Sequence, residues 1–230
     1  ELINPRSKLN PDAKIEFRET EHLFFKLSEF RDVLLDWLSE GKEHWRSSVI
    51  NFTRNWLKEG LIDRAVTRDL DWGIEIPREG YENKRMYVWF EAVMGYYSAS
   101  VHWAKNQGKP EEWKKWWENE DSEHYYFMAK DNIPFHTIIW PAMLSGCGYK
   151  LPYDVPANEY LLLDSSQFSK SRRHAIWIPD YLDRYDPELL RFYLASIMPE
   201  QKDANFTWED YVTRINTELI GNYGNLMYLS

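Results

Sequence analysis

Hydrophobic positions recur at helical spacing in the first quarter of the chain. Between His22 and Gly60 apolar residues lie three or four positions apart, at Leu23, Leu27, Phe30, Val33, Leu34 and Leu38. Such spacing is typical of an amphipathic helix. A second helix is predicted over residues 49–59, because Gly60 is a natural helix stop. Residues 1–20 are polar and rich in turn-forming pairs, which predicts a loop with short extended pieces.

The middle of the chain alternates between short apolar runs and helical patterns. Strands are predicted at residues 86–90, 125–128 and 157–163, where β-branched and aromatic residues cluster. Helices are predicted from residue 92 to about 105 and over residues 135–144. A strand, a polar loop and a helix in succession form the local unit of an α/β sheet. Ligands bind such sheets at the C-terminal ends of the strands.

Two helix-start signals mark the last quarter of the chain. Asp186 before Pro187 predicts an N-cap and a first turn, and residues 207–210 resemble a capping box. The first of these helices has an apolar stripe at Leu190, Tyr193, Leu194 and Ile197. The second is predicted to carry one apolar face formed by Trp208, Tyr211, Val212, Ile215, Leu219 and Ile220.

Composition narrows the possible classes of protein. The length of 230 residues suggests one large or two small domains. Hydrophobic residues make up 43% of the chain, which is enough to build a substantial core. The net charge of −9 argues against a general nucleic-acid binder, and we expect no DNA partner. No apolar run approaches the roughly 20 residues of a membrane helix. Cys147 is the single cysteine, so no internal disulfide forms and a cytoplasmic location is expected.

A basic loop follows the predicted strand at residues 157–163. Residues 167–173 read Gln-Phe-Ser-Lys-Ser-Arg-Arg and place cations and hydroxyl donors together. Such a loop can hold a polyphosphate and neutralise the charge on departing pyrophosphate. An exposed basic turn without a ligand is an equally good interpretation of these residues alone.

Two further groups are candidates for a binding site. Residues 129–132 (Ala-Lys-Asp-Asn) follow a predicted strand, and a carboxylate there suits a ribose hydroxyl. His136 and Trp140 share one helix face. Aromatic residues between 89 and 96 are placed to line an apolar pocket. Taken separately, core packing explains His136, Trp140 and these aromatic residues at least as well. No metal ligand is predicted, because His136 lacks a partner at zinc-like spacing.

In their order along the chain, these segments resemble the methionyl-tRNA synthetase family of class I aminoacyl-tRNA synthetases. Residues 168–171 (Phe-Ser-Lys-Ser) are similar to the family's second signature loop. The likeness covers nearly the whole chain and includes residues 68–73, 86–96, 129–144 and 199–210. Five segments in the family's order form a highly specific match, although each alone is weak.

The resemblance implies a role for each matching residue. The methionine side-chain pocket would be formed by Trp89, Ala92, Tyr96, His136 and Trp140. The ATP site would be formed by Lys130, Asp131, Phe168, Ser169, Lys170 and Ser171. Among these, Asp131 would meet the ribose, and Lys170 would be the catalytic cation. The implied substrates are methionine, ATP with Mg²⁺, and tRNA(Met).

Several positions depart from the family's pattern. Gln167 stands in place of the first lysine of the loop, Ala129 and Arg173 in place of glycines, and Glu91 in place of aspartate. The His-x-Gly-His signature, which would clamp ATP from the other side, is absent from these residues. We therefore expect this chain alone to be inactive. The cysteines of the family's zinc knuckle are also absent, so no zinc site is expected in this chain.

The resemblance also implies a fold and a domain organisation. The expected class is α/β, built on the second half of a Rossmann-like nucleotide-binding fold. Residues 1–60 would end an α-rich inserted domain, and 61–150 would form the half-Rossmann part. Residues 151–205 would be a small domain with the phosphate loop, and 206–230 would start a helical anticodon-binding bundle. Another class I synthetase and a non-catalytic paralogue that binds tRNA or a partner stay open as alternatives.

Overall fold

The computed structural model describes residues 6, 12 and 14–229. Most of the loop predicted at residues 1–20 lies outside these residues, and residues 14–20 contain no helix or strand. Within the described part of the chain, no helix is long and apolar enough to cross a membrane.

Helices make up most of the regular structure between residues 22 and 60. A 3₁₀ turn at Leu27–Phe30 leads into α1 (Arg31–Ser39), and α2 spans Ser47–Glu59. Gly60 ends α2 with a φ of +98°, a conformation that favours glycine. The predicted helix start at His22 is wrong. Leu23 instead exchanges hydrogen bonds with residues 66 and 67, because strand β1 (Phe24–Phe25) pairs antiparallel with β2 (Arg64–Ala65).

A second antiparallel pair precedes the longest helix. Strand β3 (Thr67–Arg68) pairs with β4 (Arg85–Met86), and α3 (Val88–Asn106) follows directly. The strand predicted over residues 86–90 is therefore wrong beyond residue 86. Phe90 and Val93 are buried while Trp89 is exposed. Burial at three-residue spacing selects a helix here. Helix α4 (Lys114–Trp117) lies within the charged, Trp-rich segment that follows.

The predicted strand–loop–helix unit is present in the centre of the chain. Strand β5 (Met128–Ala129) pairs parallel with β6 (Ala157–Asn158), and the polar residues at 130–132 form a 3₁₀ turn. A widened π-helical segment, Phe135–Ile139, continues into α5 (Trp140–Gly146). Pro141 has no N–H to donate, so one helical hydrogen bond is missing at this point.

The last part of the chain forms a small sheet with helices. The strand order is β8-β7-β9, with β7 at Leu161–Leu163, β8 at Ser166–Gln167 and β9 at Ala204–Phe206. The helices are α6 (Ile178–Leu182), α7 (Pro187–Ser196), α8 (Trp208–Arg214), a π-helix (Ile215–Gly224) and α9 (Asn225–Leu229).

Both predicted helix starts are confirmed in this last part. The Asp186 carboxylate accepts a hydrogen bond from the Glu188 N–H at 2.8 Å, and the Thr207 hydroxyl accepts one from the Asp210 N–H at 3.1 Å. The single apolar face predicted for the final helix is wrong in part. Tyr211 is buried, but other members of that set are at least two-fifths exposed, namely Trp208, Val212 and Ile220.

Two hydrophobic cores with no buried residue in common hold the described chain together. The first core joins α1, α2, α3, α5 and the β5–β6 pair, from Leu27 to Ala157. A buried hydrogen bond of 2.9 Å between the hydroxyls of Thr53 and Thr137 ties α2 into it. The second core runs from Leu163 to Ile215 and fills the space between the small sheet, α7 and α8.

Candidate functional site

One face of α3 carries three of the predicted pocket residues. Trp89, Ala92 and Tyr96 are three and four positions apart, and all three are exposed. The adjoining face, with Phe90 and Val93, is buried in the first core. The helix therefore presents an exposed stripe of two aromatic residues and Ala92 beside its buried face.

The other two predicted pocket residues lie beneath this stripe and join it through hydrogen bonds. His136 is buried, and its Nε2 lies 2.9 Å from the Tyr96 hydroxyl. Trp140 is also buried, and its Nε1–H donates to the Tyr126 hydroxyl at 2.9 Å. The Tyr126 ring lies 5.1 Å from that of Tyr96 and 5.6 Å from that of His136. We call Tyr96, Tyr126, His136 and Trp140 the aromatic cluster.

The direction of the hydrogen bonds in the cluster follows from the protonation of His136. Its Nδ1 lies 3.0 Å from the Asn132 carbonyl oxygen, which only accepts, so Nδ1 carries a proton. Burial lowers the pKa of His136 and keeps the ring neutral. Its Nε2 is therefore an acceptor, and the Tyr96 hydroxyl donates to it.

Tyr126 is a member of the cluster that the sequence analysis did not identify. Burial raises the pKa of its hydroxyl to about 12, so the group stays neutral. The only signal in the sequence was its place in an apolar run just before the polar residues at 130–132. A strand pattern does not show which aromatic ring points towards the neighbouring helix.

Trp89 sits apart from the aromatic cluster. Its ring stacks on Phe135 at 4.9 Å between centroids, and 42% of the residue is exposed. Phe135 adjoins His136 in the chain, so this stack lies beside a member of the cluster. Ala92 lies on the same face of α3, between Trp89 and Tyr96.

The predicted nucleotide residues at 130 and 131 differ in their surroundings. Lys130 Nζ lies 2.5 Å from Glu159 Oε2 and 2.9 Å from Asp203 Oδ1. The hydrogen bond to Glu159, followed by that to Asp203, raises the pKa of Lys130. Asp131 is exposed at the end of β5, and its Oδ1 is 3.4 Å from Asn132 Nδ2.

The predicted phosphate loop forms a tight, exposed turn. Ser169 and His174 exchange backbone hydrogen bonds of 2.9 and 3.0 Å, which close the loop between them. The hydroxyls of Ser169 and Ser171 lie 3.3 Å apart, and Lys170 is exposed at the tip. Arg173 has a φ of +54°, a left-handed conformation that favours glycine. The glycine expected at this position from the resemblance is thus explained by the backbone.

The structure brings only some of the predicted site residues together. Tyr96, His136 and Trp140 converge, whereas the loop at residues 168–171 stands by itself. No hydrogen bond or ion pair among the described residues joins Lys170 to Asp131 or His136. No group of three potential metal ligands occurs in the described part either.

Comparisons with known proteins agree on one family. A family model described as tRNA synthetases class I (M) matches residues 1–229. A methionine–tRNA ligase of Dehalococcoides mccartyi is 59% identical over 212 residues, which are 92% of this chain and 38% of that protein. The corresponding ligase of Thermomicrobium roseum is 53% identical over 230 residues, 99% of this chain and 39% of that protein.

A solved structure has a similar fold. Mycobacterium tuberculosis methionyl-tRNA synthetase in complex with methionyl-adenylate has a TM-score of 0.74 at 25% identity. The match covers 89% of this chain and 39% of that one. The chain thus spans less than half the length of the relatives it matches.

Proposed function

Because the chain belongs to the class I tRNA synthetases (M), we propose that the full-length protein activates methionine with ATP and transfers it to tRNA(Met). The aromatic cluster is the observation that carries this proposal. A thioether is apolar and polarisable, and it packs well against aromatic rings. Neutral, internally paired polar groups at Tyr96, His136 and Trp140 suit such an uncharged side chain.

The proposed methionine pocket consists of Trp89, Ala92, Tyr96, His136 and Trp140. The stacked rings of Trp89 and Phe135 would close it against water. His136 positions the Tyr96 hydroxyl and takes no part as a general base, because its pKa is lowered and both ring nitrogens are already hydrogen-bonded.

The proposed ATP site lies at the end of β5 and in the loop at residues 168–171. Asp131 is exposed and would accept hydrogen bonds from the ribose. Phe168, Ser169, Lys170 and Ser171 would contact the triphosphate, and ATP would bring Mg²⁺ with its phosphates. A methionine carboxylate oxygen attacks the α-phosphorus, the bond to the bridging oxygen breaks, and pyrophosphate leaves. Lys170 would neutralise charge on that leaving group.

We propose the following division of the chain on the same basis. Residues 1–60 end an inserted domain, and residues 61–150 form the second half of a Rossmann-like fold, which the parallel β5–β6 pair supports. Residues 151–205 carry the phosphate loop, and residues 206–230 start the anticodon-binding bundle. The proposal includes no zinc site in this chain and no DNA partner. It places the protein in the cytoplasm.

The proposal is tested by ATP–pyrophosphate exchange with the full-length protein. Exchange that depends on methionine and not on valine is expected. Exchange that depends on valine, isoleucine, leucine or cysteine instead would assign another class I activity. The 230-residue chain alone is expected to show no exchange.

A non-catalytic paralogue is distinguished by removing the cation of the phosphate loop. Lys170→Ala in the full-length protein is expected to lower methionine-dependent exchange on the order of 10²-fold or more, because an electrostatic contact to the departing charge is lost. Lys58→Ala, at an exposed position in α2, is the control and should leave exchange unchanged. A loss below about threefold for Lys170→Ala would exclude Lys170 from the mechanism.

A further inference from the structure

The junction between the two hydrophobic cores is polar. The first core ends at Ala157 and the second begins at Leu163, and the chain between them supplies hydrogen-bonding groups. Arg46 Nη1 donates to the Ala157 carbonyl at 2.6 Å and to the Glu200 carbonyl at 3.0 Å. Directional polar contacts thus join the two cores at this point.

Lys130 makes the charged contact of this junction. Its ammonium group meets Glu159, between β6 and β7, and Asp203, directly before β9. Asp203 Oδ1 also accepts the Tyr160 N–H at 2.9 Å, and the Tyr160 ring lies 4.3 Å from the Lys130 ammonium. One side chain thereby joins the end of β5 to the small sheet.

The same geometry leaves little room for Lys130 to bind a phosphate. Two carboxylates within 2.9 Å of one ammonium group give a site with a net charge of −1. A phosphate that approached the ammonium group would be repelled by both carboxylates. The aromatic ring of Tyr160 occupies a further side.

The neighbours of the three charged residues point to a positioning role. Asp131, the proposed ribose ligand, follows Lys130 directly. The strands β7 and β9 are paired, and β7 leads through β8 into residues 168–171. Any movement of the small sheet relative to β5 would change the distance between the ribose and phosphate contacts.

We infer that Lys130, through Glu159 and Asp203, is a positioning residue that holds Asp131 and the phosphate loop at the separation ATP requires. This role rests on the proposed function, and it replaces the direct ATP contact expected for Lys130 from the family resemblance. We call Lys130, Glu159 and Asp203 the ion triad. It affects the binding of ATP and does not affect the aromatic cluster.

The test compares Lys130→Met, Asp203→Asn and the double variant in the full-length protein by ATP–pyrophosphate exchange. Each single variant is expected to raise the KM for ATP by about tenfold, because misplaced contacts lose binding and rate. The KM for methionine should not change. The double variant should resemble the single ones, because either change breaks the same unit, and Lys130→Arg should restore much of the ATP affinity. Lys114→Met, which removes an ion pair of 2.5 Å with Glu111 elsewhere on the surface, is the control.

The alternative role predicts a different pattern. If Lys130 contacts ATP itself, Lys130→Met will be far more damaging than Asp203→Asn, and the positioning role is overturned. An equal rise in the KM for both substrates overturns it as well.

A measurement without substrates separates this inference from the proposed function. Hydrogen exchange at residues 157–163 and 199–206 should be faster in Lys130→Met than in Lys114→Met. Unchanged exchange there would contradict the positioning role even if the enzyme activates methionine. The wild-type protein could show no methionine-dependent ATP–pyrophosphate exchange while hydrogen exchange is still faster in Lys130→Met. That result would refute only the proposed function.

Discussion

The hydroxyl of Tyr126 is the acceptor for a buried indole N–H. Tyr126→Phe removes that acceptor and leaves the Trp140 N–H unpaired, which costs about 1–3 kcal/mol. Because Trp140 belongs to the proposed pocket, the KM for methionine should rise while the KM for ATP stays constant. Steady-state exchange kinetics of the full-length protein measure both values. Tyr125→Phe is the matched control, since the Tyr125 hydroxyl is on the surface and bonds Glu123. Equal behaviour of the two variants would contradict the role of Tyr126.

The neutral state of His136 makes methionine binding depend on pH in one direction. Burial lowers the pKa of His136 from its ordinary value of 6.5, so the fold favours the neutral ring. Protonation of Nε2 would remove the acceptor for the Tyr96 hydroxyl. The KM for methionine should therefore stay constant from pH 8 down to about 6.5 and rise only at lower pH. A rise that begins above pH 7 would show that the ring is not held neutral.

The backbone conformations of two glycines predict opposite effects of an alanine substitution on helix stability. Gly60 has a φ of +98°, whereas Gly95 lies inside α3, and a Cβ at either position meets nothing within 4 Å. Gly60→Ala should therefore destabilise α2 by about 1 kcal/mol through backbone strain alone, and Gly95→Ala should stabilise α3 by about 0.5–1 kcal/mol. Local hydrogen exchange of α2 and α3 in the full-length protein measures both changes. The same sign for both would contradict the conformational argument.

Elements that are determined by neighbouring residues in the sequence were predictable. Elements that depend on contacts with residues far along the chain were not. Asp186 and Thr207 cap their helices as predicted, because capping involves only residues two or three positions away. Strand β1 was missed because its partner lies some 40 residues further along the chain. Residues 88–90 were placed in a strand because an aromatic run suits either state, and packing of Phe90 and Val93 selected the helix.

In the candidate site, too, the contacts between distant segments were not predictable from the sequence. Residue type alone left core packing as an equally good explanation of His136, Trp140 and Tyr96, and only the family resemblance grouped them as one pocket. The structure places these three residues close together, joined through Tyr126. Tyr126 and the partners of Lys130 come from other segments, so no local pattern indicated them. Which acid a lysine meets depends on how two cores are joined, and this information lies in the tertiary structure.

Separate cores predict separate unfolding. Phe206 is 1% exposed and packs edge-on against Tyr193 at 5.2 Å in the second core. Phe206→Ala should cost about 3–5 kcal/mol through the cavity it leaves. The loss should stay within the second core, because the junction contains polar contacts that transmit little packing strain.

Hydrogen exchange of the full-length protein locates that loss. Exchange should become faster in β7, α7 and α8 and stay unchanged in α2 and α5. Leu34→Ala, at a fully buried position of the first core, should give the reverse pattern. Faster exchange in both cores from either substitution would show one cooperative unit. In that case the contacts at the polar junction would couple the unfolding of the two cores.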